Sequence, residues 1–155
     1  MNKIFLTFFL LLYPLTSHAW MAKVVNVTDG DTIKVYNAEY GQVKIRFYGI
    51  DAPEKGQPYG QAAGKYLASL IAGKMVDIGP VTEDRYGRTV AIVTDSETNV
   101  NQEMVRAGYA WVYRKYCDQA FCDFWLALEG EAKAGKLGLW QEPNAVPPWE
   151  WRRKK

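Results

Sequence analysis

Histidine is almost missing from this chain: His18 is the only one among 155 residues. It falls in an opening stretch, MNKIFLTFFLLLYPLTSHAW, with Lys3 near its front, an apolar run from Ile4 to Leu15, and the small residues Ser17 and Ala19. That layout predicts a secretory signal peptide over residues 1–19, cleaved after Ala19. The apolar run is shorter than the roughly 20 residues a membrane span requires, and no later segment is long and apolar enough to span. The expected product is exported, to the periplasm or the medium, and is free of the membrane. A mature chain from Trp20 onward has no histidine. Ser-His-Asp and Cys-His mechanisms, histidine zinc sites and histidine general bases are thereby excluded. Carboxylates, arginines, lysines and tyrosines must carry any chemistry.

Cysteine is nearly as scarce. Cys117 and Cys122 enclose DQAF and form neither a C-x-x-C redox motif nor a zinc pattern. In an exported protein such a close pair is expected to form a disulfide, and its small loop contributes about 2 kcal/mol. A strong charge imbalance is missing too. Without Lys3 the cations number 18 against 17 acids, a net +1. Without the four cations of the closing WRRKK the body carries 14 against 17, a net −3. The chain is no polybasic binder, so contact with nucleic acid must be local, through placed arginines and the tail.

What is present is apolar and aromatic residue enough for one domain: 48% hydrophobic and 14% aromatic. Residues 23–37, KVVNVTDGDTIKVYN, alternate apolar and polar on both sides of Asp29-Gly30, a strand-turn-strand. GQVKIRFYGI continues as a third strand, with Val43, Ile45 and Phe47 on one face and Lys44, Arg46 and Tyr48 on the other. The period changes over residues 60–74, where Ala63, Tyr66, Leu67, Leu70 and Ile71 form a helical stripe and Gly73 suits the C-cap. Two more strands follow, joined at DRYGR. A short helix is expected over 101–107 with Asn101 as N-cap, then an extended aromatic stretch, YAWVYRKY. The last helix, 123–136, is expected to turn Phe124, Trp125, Leu128 and Ala132 inward. Trp111, Trp125 and Trp140 are assigned to the core. The tail, residues 143–155, is Pro-rich and basic and predicts no regular structure. The fold class is therefore α+β: a five-stranded Greek-key barrel of the OB type with about three helices over residues 20–142. An open α+β sandwich shares the same element order.

Three charged clusters stand out: TDGDT (28–32), RFYGIDAPE (46–54) and DRYGR (84–88). Each alone has a plain reading as a turn or a solvated hairpin tip. Together they place Asp31 and Asp51 at the ends of neighbouring strands. If those ends meet, two carboxylates face each other and require a cation. Two carboxylates with a backbone carbonyl such as that of Ala52 suit a hard, oxygen-preferring ion, Ca²⁺ or Mg²⁺ rather than zinc. An EF-hand is excluded, because residues 29–40 lack its ligand spacing and final Glu.

VTDGDTIKV, IRFYGIDAPE and DRYGR, in this order and spacing, resemble the staphylococcal nuclease (thermonuclease) family. The resemblance extends through the first helix, VNQEMVRAGYAWVY, and a last helix ending KLGLW, and so covers the expected mature chain except the tail. It implies a metal site of the Asp31 and Asp51 side chains and the Ala52 carbonyl around Ca²⁺, with Asp29 an acid close behind. It implies phosphate-binding arginines at Arg46 and Arg88 and a catalytic glutamate at Glu54. It implies a sugar-nonspecific nuclease of DNA and RNA that leaves 3′-phosphate ends, on an OB barrel; nothing in the sequence demands an oligomer, and a monomer is expected. Tyr86, Tyr113 and Tyr116 are candidates to stack on or border a nucleotide; packing at the rim of the core is the equal alternative for each. KGQPYGQ after Glu54 is shorter than in the best-known member, which also has no such cysteine pair. The competing readings are a non-catalytic OB-fold module that binds nucleic acid, and a calcium-stabilised extracellular binding domain. The second would not need the arginines.

Overall fold

The computed structural model describes residues 18–154; the expected signal peptide lies, apart from His18 and Ala19, outside the described residues. β1 (Trp20–Val27), β2 (Thr32–Asn37) and β3 (Gly41–Phe47) form the expected antiparallel meander. A two-residue strand β4 (Ile50–Asp51) and helix α1 (Gly60–Ile71) follow. β5 (Met75–Glu83) pairs with β1, and β6 (Thr89–Asp95) with β5. A parallel pairing of β3 with β6 then closes the sheet on itself. The result is a closed five-stranded barrel of the OB type, as the alternation of apolar and polar residues predicts. Closure leaves no open sheet edge among those five strands. A short strand β7 (Thr98–Asn99) pairs antiparallel with the end of β6.

The barrel is filled by the inward residues of each strand: Ile33, Val35, Ile45, Phe47, Ile78 and Val93 are all buried. α1 caps it with Ala63, Leu67 and Ile71, the inner part of the stripe legible in the sequence. α2 (Val100–Arg106) and α3 (Cys122–Ala134) pack on each other beside the barrel. Between them, β8 (Trp111–Val112) pairs antiparallel with β4, and Arg114–Tyr116 form a 3-10 turn. The Cys117–Cys122 disulfide ties the end of that turn to the start of α3.

Four expectations are corrected. The N-cap of α2 is Asn99, whose side chain accepts the Gln102 N–H at 2.9 Å. Asn101 is instead fully buried and joins three backbones: it accepts from Val93 N at 2.9 Å and donates to Tyr48 O at 3.0 Å and Ala91 O at 3.1 Å. Phe124 is exposed, because α3 packs through Trp125, Leu128 and Ala132 and its apolar stripe is narrow. Trp125 is a core residue, but Trp111 and Trp140 are only half-buried and pack edge to face beside the core, ring centroids 4.2 Å apart. The tail is structured: Pro148–Trp151 form a single helical turn, α4, entered through Pro147 and Pro148, and Arg152–Lys154 continue as a 3-10 turn. Proline at the first helical position gives up no hydrogen bond, so a Pro-rich approach is compatible with this short helix.

Candidate active site

β-sheet register brings the first two motifs together. Thr32 pairs with Arg46 across β2 and β3, and Phe47 N–H donates to Asp31 O at 2.8 Å. Asp31 therefore stands just before the start of β2, opposite Phe47 and one step from Arg46. After Phe47 the chain turns at Tyr48-Gly49, with Gly49 at φ +71°, and continues as β4, which pairs with β8. Asp51 thus ends a separate short strand rather than β3. Its neighbour Ala52 donates its N–H to Asp31 Oδ2 at 2.6 Å, which clamps the two carboxylate-bearing segments together. Asp29 accepts the Asp31 N–H at 3.2 Å and shapes the turn behind the site. Thr32 Oγ1 donates to Asp31 Oδ1 at 3.1 Å.

Both carboxylates are buried, with Asp51 only 1% exposed. Arg46 bridges them: its Nη2 lies 3.1 Å from Asp31 Oδ2 and 2.8 Å from Asp51 Oδ1. Its Nη1 donates to Phe47 O at 3.1 Å, which sets the plane of the guanidinium. Burial pushes the Asp31 carboxyl up to about 7; Arg46 pulls the other way, and Asp29 and Asp51 add to the rise. Asp31 and Asp51 are adjacent buried carboxylates, and Arg46 by itself offsets only one of the two charges. The donor set is oxygen only, and it fits a hard cation. Among the described residues no cluster of three or more His, Cys, Asp or Glu forms a cation cage. The candidate set is the pair Asp31 and Asp51 with the backbone at Ala52.

Glu54 sits three residues beyond Asp51 at the mouth of the site, with its side chain 40% exposed. Its loop is held from both sides. Gln57 Oε1 accepts the Glu54 N–H at 3.2 Å, and Glu54 O accepts the Gln57 N–H at 2.8 Å. Gly60 starts α1 directly against Glu54: a Cβ there would lie 1.8 Å from Glu54 O, so only glycine allows the approach.

Arg88 lies just before β6, where the parallel pairing sets Thr89 opposite Ile45. It is held by Asp84, which accepts from its Nε at 2.6 Å and from its N–H at 3.0 Å. Among the described residues it makes no ion pair with Asp31, Asp51 or Glu54. The β5–β6 hairpin therefore holds Arg88 on its own Asp84. Tyr86, on the same hairpin tip, is 68% exposed, with the Arg85 and Arg88 guanidiniums 4.8 Å and 5.6 Å from its ring centre. Tyr116 is exposed and meets the edge of Tyr113, centroids 4.8 Å apart. Tyr113 is covered on one face by Trp149, stacked at 5.0 Å with planes 6° apart.

A residue outside every sequence motif enters the site. Arg152, from the tail, sets Nη2 at 2.8 Å from Asp51 Oδ2 and Nη1 at 2.7 Å from Glu54 Oε1. Partial burial works against its charge, but the hydrogen bonds to Asp51 and Glu54 outweigh that and raise its pKa. Next to it runs a groove of about 850 Å³ between β8, α3 and the tail. Arg85, Arg114, Lys115, Lys133 and Arg153 line it, and Glu129 is its acid.

The family described as "Staphylococcal nuclease homologue" matches residues 44–142. An uncharacterized endonuclease of Escherichia coli O157:H7 is 42% identical over 151 residues, covering 97% of this chain and 96% of the relative. An uncharacterized endonuclease of Haemophilus influenzae is 37% identical over 157 residues, covering 99% and 86%. A micrococcal nuclease of Shigella flexneri is 39% identical over 140 residues, covering 84% and 79%.

Proposed function

Because the chain belongs to the staphylococcal nuclease family, we propose that it is an exported, calcium-dependent nuclease that hydrolyses phosphodiester bonds of DNA and RNA. The observation that carries the reading is the cluster of Asp31, Asp51, Arg46 and Glu54, with two buried acids bridged by one arginine. Asp31, Asp51 and the Ala52 carbonyl are the residues that would hold Ca²⁺. When bound, the ion supplies Lewis-acid stabilisation to a phosphoryl oxygen.

The chain's own residues do the rest. Arg46 and Arg88 present planar donors that match phosphate oxygens in pairs, and they offset charge that grows in the five-coordinate transition state. Glu54, partly exposed, takes a proton from the attacking water or orients it in line. Attack by water needs no 2′-hydroxyl, so sugar identity does not matter; release of the 5′ oxygen leaves a 3′-phosphate. The groove flanked by Arg85, Arg114, Lys115 and Arg153 suits the backbone of a nucleic-acid strand, and Tyr86 and Tyr116 offer exposed rings to bases. The protein acts as a monomer on this reading.

Incubation of single-stranded DNA and RNA with purified protein, in calcium or in excess chelator, tests the proposal. Cleavage of both in calcium only, with 3′-phosphate product ends, is the expected result. Binding without cleavage by folded, calcium-loaded protein would instead assign a nucleic-acid-binding module.

A further inference from the structure

Asp51 is 1% exposed, yet both of its oxygens are engaged by guanidiniums. Arg46 holds Oδ1, and Arg152 holds Oδ2 at 2.8 Å and approaches Oδ1 at 3.3 Å. The two arginines differ in kind. Arg46 grows from the barrel wall, is 15% exposed, and also holds Asp31 and the Phe47 carbonyl. Arg152 arrives from about a hundred residues away in sequence, is 43% exposed, and reaches past Asp51 to Glu54. Its fork thus spans a proposed metal ligand and the proposed catalytic base.

Arg152 is delivered by a built segment. The Val146 carbonyl accepts from Gln57 Nε2, the same glutamine whose Oε1 holds the Glu54 N–H. Pro148 is buried. Trp149 stacks on Tyr113 and meets Trp111 edge-on, centroids 5.8 Å apart. The tail is seated on the loop that carries Glu54 and on the aromatic face at the end of β8.

We propose that Arg152 is a built-in competitor of the divalent cation: its guanidinium holds the Asp51 and Glu54 oxygens until an ion displaces it. The competition rests on the calcium assignment of the preceding section. Asp51 is fixed in the core and cannot follow a leaving partner, whereas Arg152 sits at the solvent edge and can withdraw. A cation that gains Asp51 must first break a two-pronged, charge-assisted contact. Calcium affinity is lowered by the population that keeps that contact. Removing the competitor therefore tightens binding, in contrast to the usual loss when a site residue is deleted.

Calorimetric titration of calcium into the wild-type protein, Arg152→Ala and Arg152→Lys tests this, with melting curves as a check on folding. Arg152→Ala is expected to bind calcium at least about tenfold more tightly. Arg152→Lys, which keeps the charge but loses the fork, falls between. The calcium needed for half-maximal cleavage shifts down with the dissociation constant. Equal or weaker calcium binding by folded Arg152→Ala overturns the competition; if calcium-dependent cleavage persists in that case, the nuclease reading stands without it. Absence of calcium binding in both proteins overturns the competition together with the metal assignment.

Discussion

Arg46 Nη2 lies 2.8 Å from Asp51 Oδ1, and that contact neutralises a carboxylate with almost no access to water. Removing the arginine strips Asp31 of its ion pair to Arg46 and leaves Asp51 to Arg152. Arg46→Ala is expected to cost about 3 kcal/mol of stability, the typical effect of stranding a buried charge. It should also lower kcat by roughly 10²–10³ through loss of a phosphate donor. Arg46→Lys should restore much of the stability but little of the turnover, because lysine has no planar fork. Urea melts and steady-state rates on the same preparations check both halves. Full activity in the lysine variant would contradict bidentate phosphate recognition.

Asn101 joins β6 and the Tyr48 turn to α2 through three buried hydrogen bonds. Asn101→Ala takes the side-chain partner from the Val93 N–H and the Tyr48 carbonyl, while Ala91 O keeps the Tyr48 N–H at 2.8 Å; the cost is roughly 2–4 kcal/mol. Asn99→Ala removes only an N-cap and should cost about 1 kcal/mol. Chemical denaturation of the two variants orders them. A larger loss for Asn99→Ala would mean that the buried network matters less than the cap.

Tyr66 on α1 donates its hydroxyl to Glu103 on α2 at 3.0 Å and stacks on Tyr109. Burial, then the hydrogen bond to Glu103, pushes its pKa up to about 12. The unfolded value is near 10. The neutral phenol is thus favoured by folding: its contribution is full below pH about 10 and is lost as pH rises through about 12. The melting temperature should fall across that window, and Tyr66→Phe should flatten the part of the fall that this phenol causes. An unchanged alkaline profile in Tyr66→Phe would assign the loss to other groups.

The site was legible where its residues sit on regular strands. TDGDT and RFYGIDAPE carry a turn, a register and a set of charges in one short run, so the approach of Asp31 to Arg46 follows from a meander, whereas that of Asp51 depended on whether the strand ends meet. The separate strand β4 was less visible, since two residues have no period. Asn99 and Asn101 both satisfy the rule for a helix N-cap, and only the burial of the second, against backbones from β6 and the Tyr48 turn, tells them apart. Phe124 fits an apolar stripe that tertiary packing does not use. Arg152 and Trp149 lay beyond reach for another reason. Their segment has only a single helical turn, and its place depends on the long-range contacts to Gln57 and Tyr113. The one available signal was the pair of tryptophans in PPWEWRR, since such large apolar groups rarely remain free of packing.

Glu54 carries the central claim. Its loop is fixed by Gln57 and Gly60, and its side chain is part-exposed, so Glu54→Gln changes charge and proton affinity with little change of shape. Single-turnover cleavage of a DNA oligonucleotide in saturating calcium, by wild-type protein and Glu54→Gln, is the direct measurement, with melting and calcium titration on the same samples. A fall in rate of roughly 10²–10⁴, with fold and calcium binding retained, is the predicted result. A folded, calcium-loaded Glu54→Gln that cleaves at close to the wild-type rate would contradict the account.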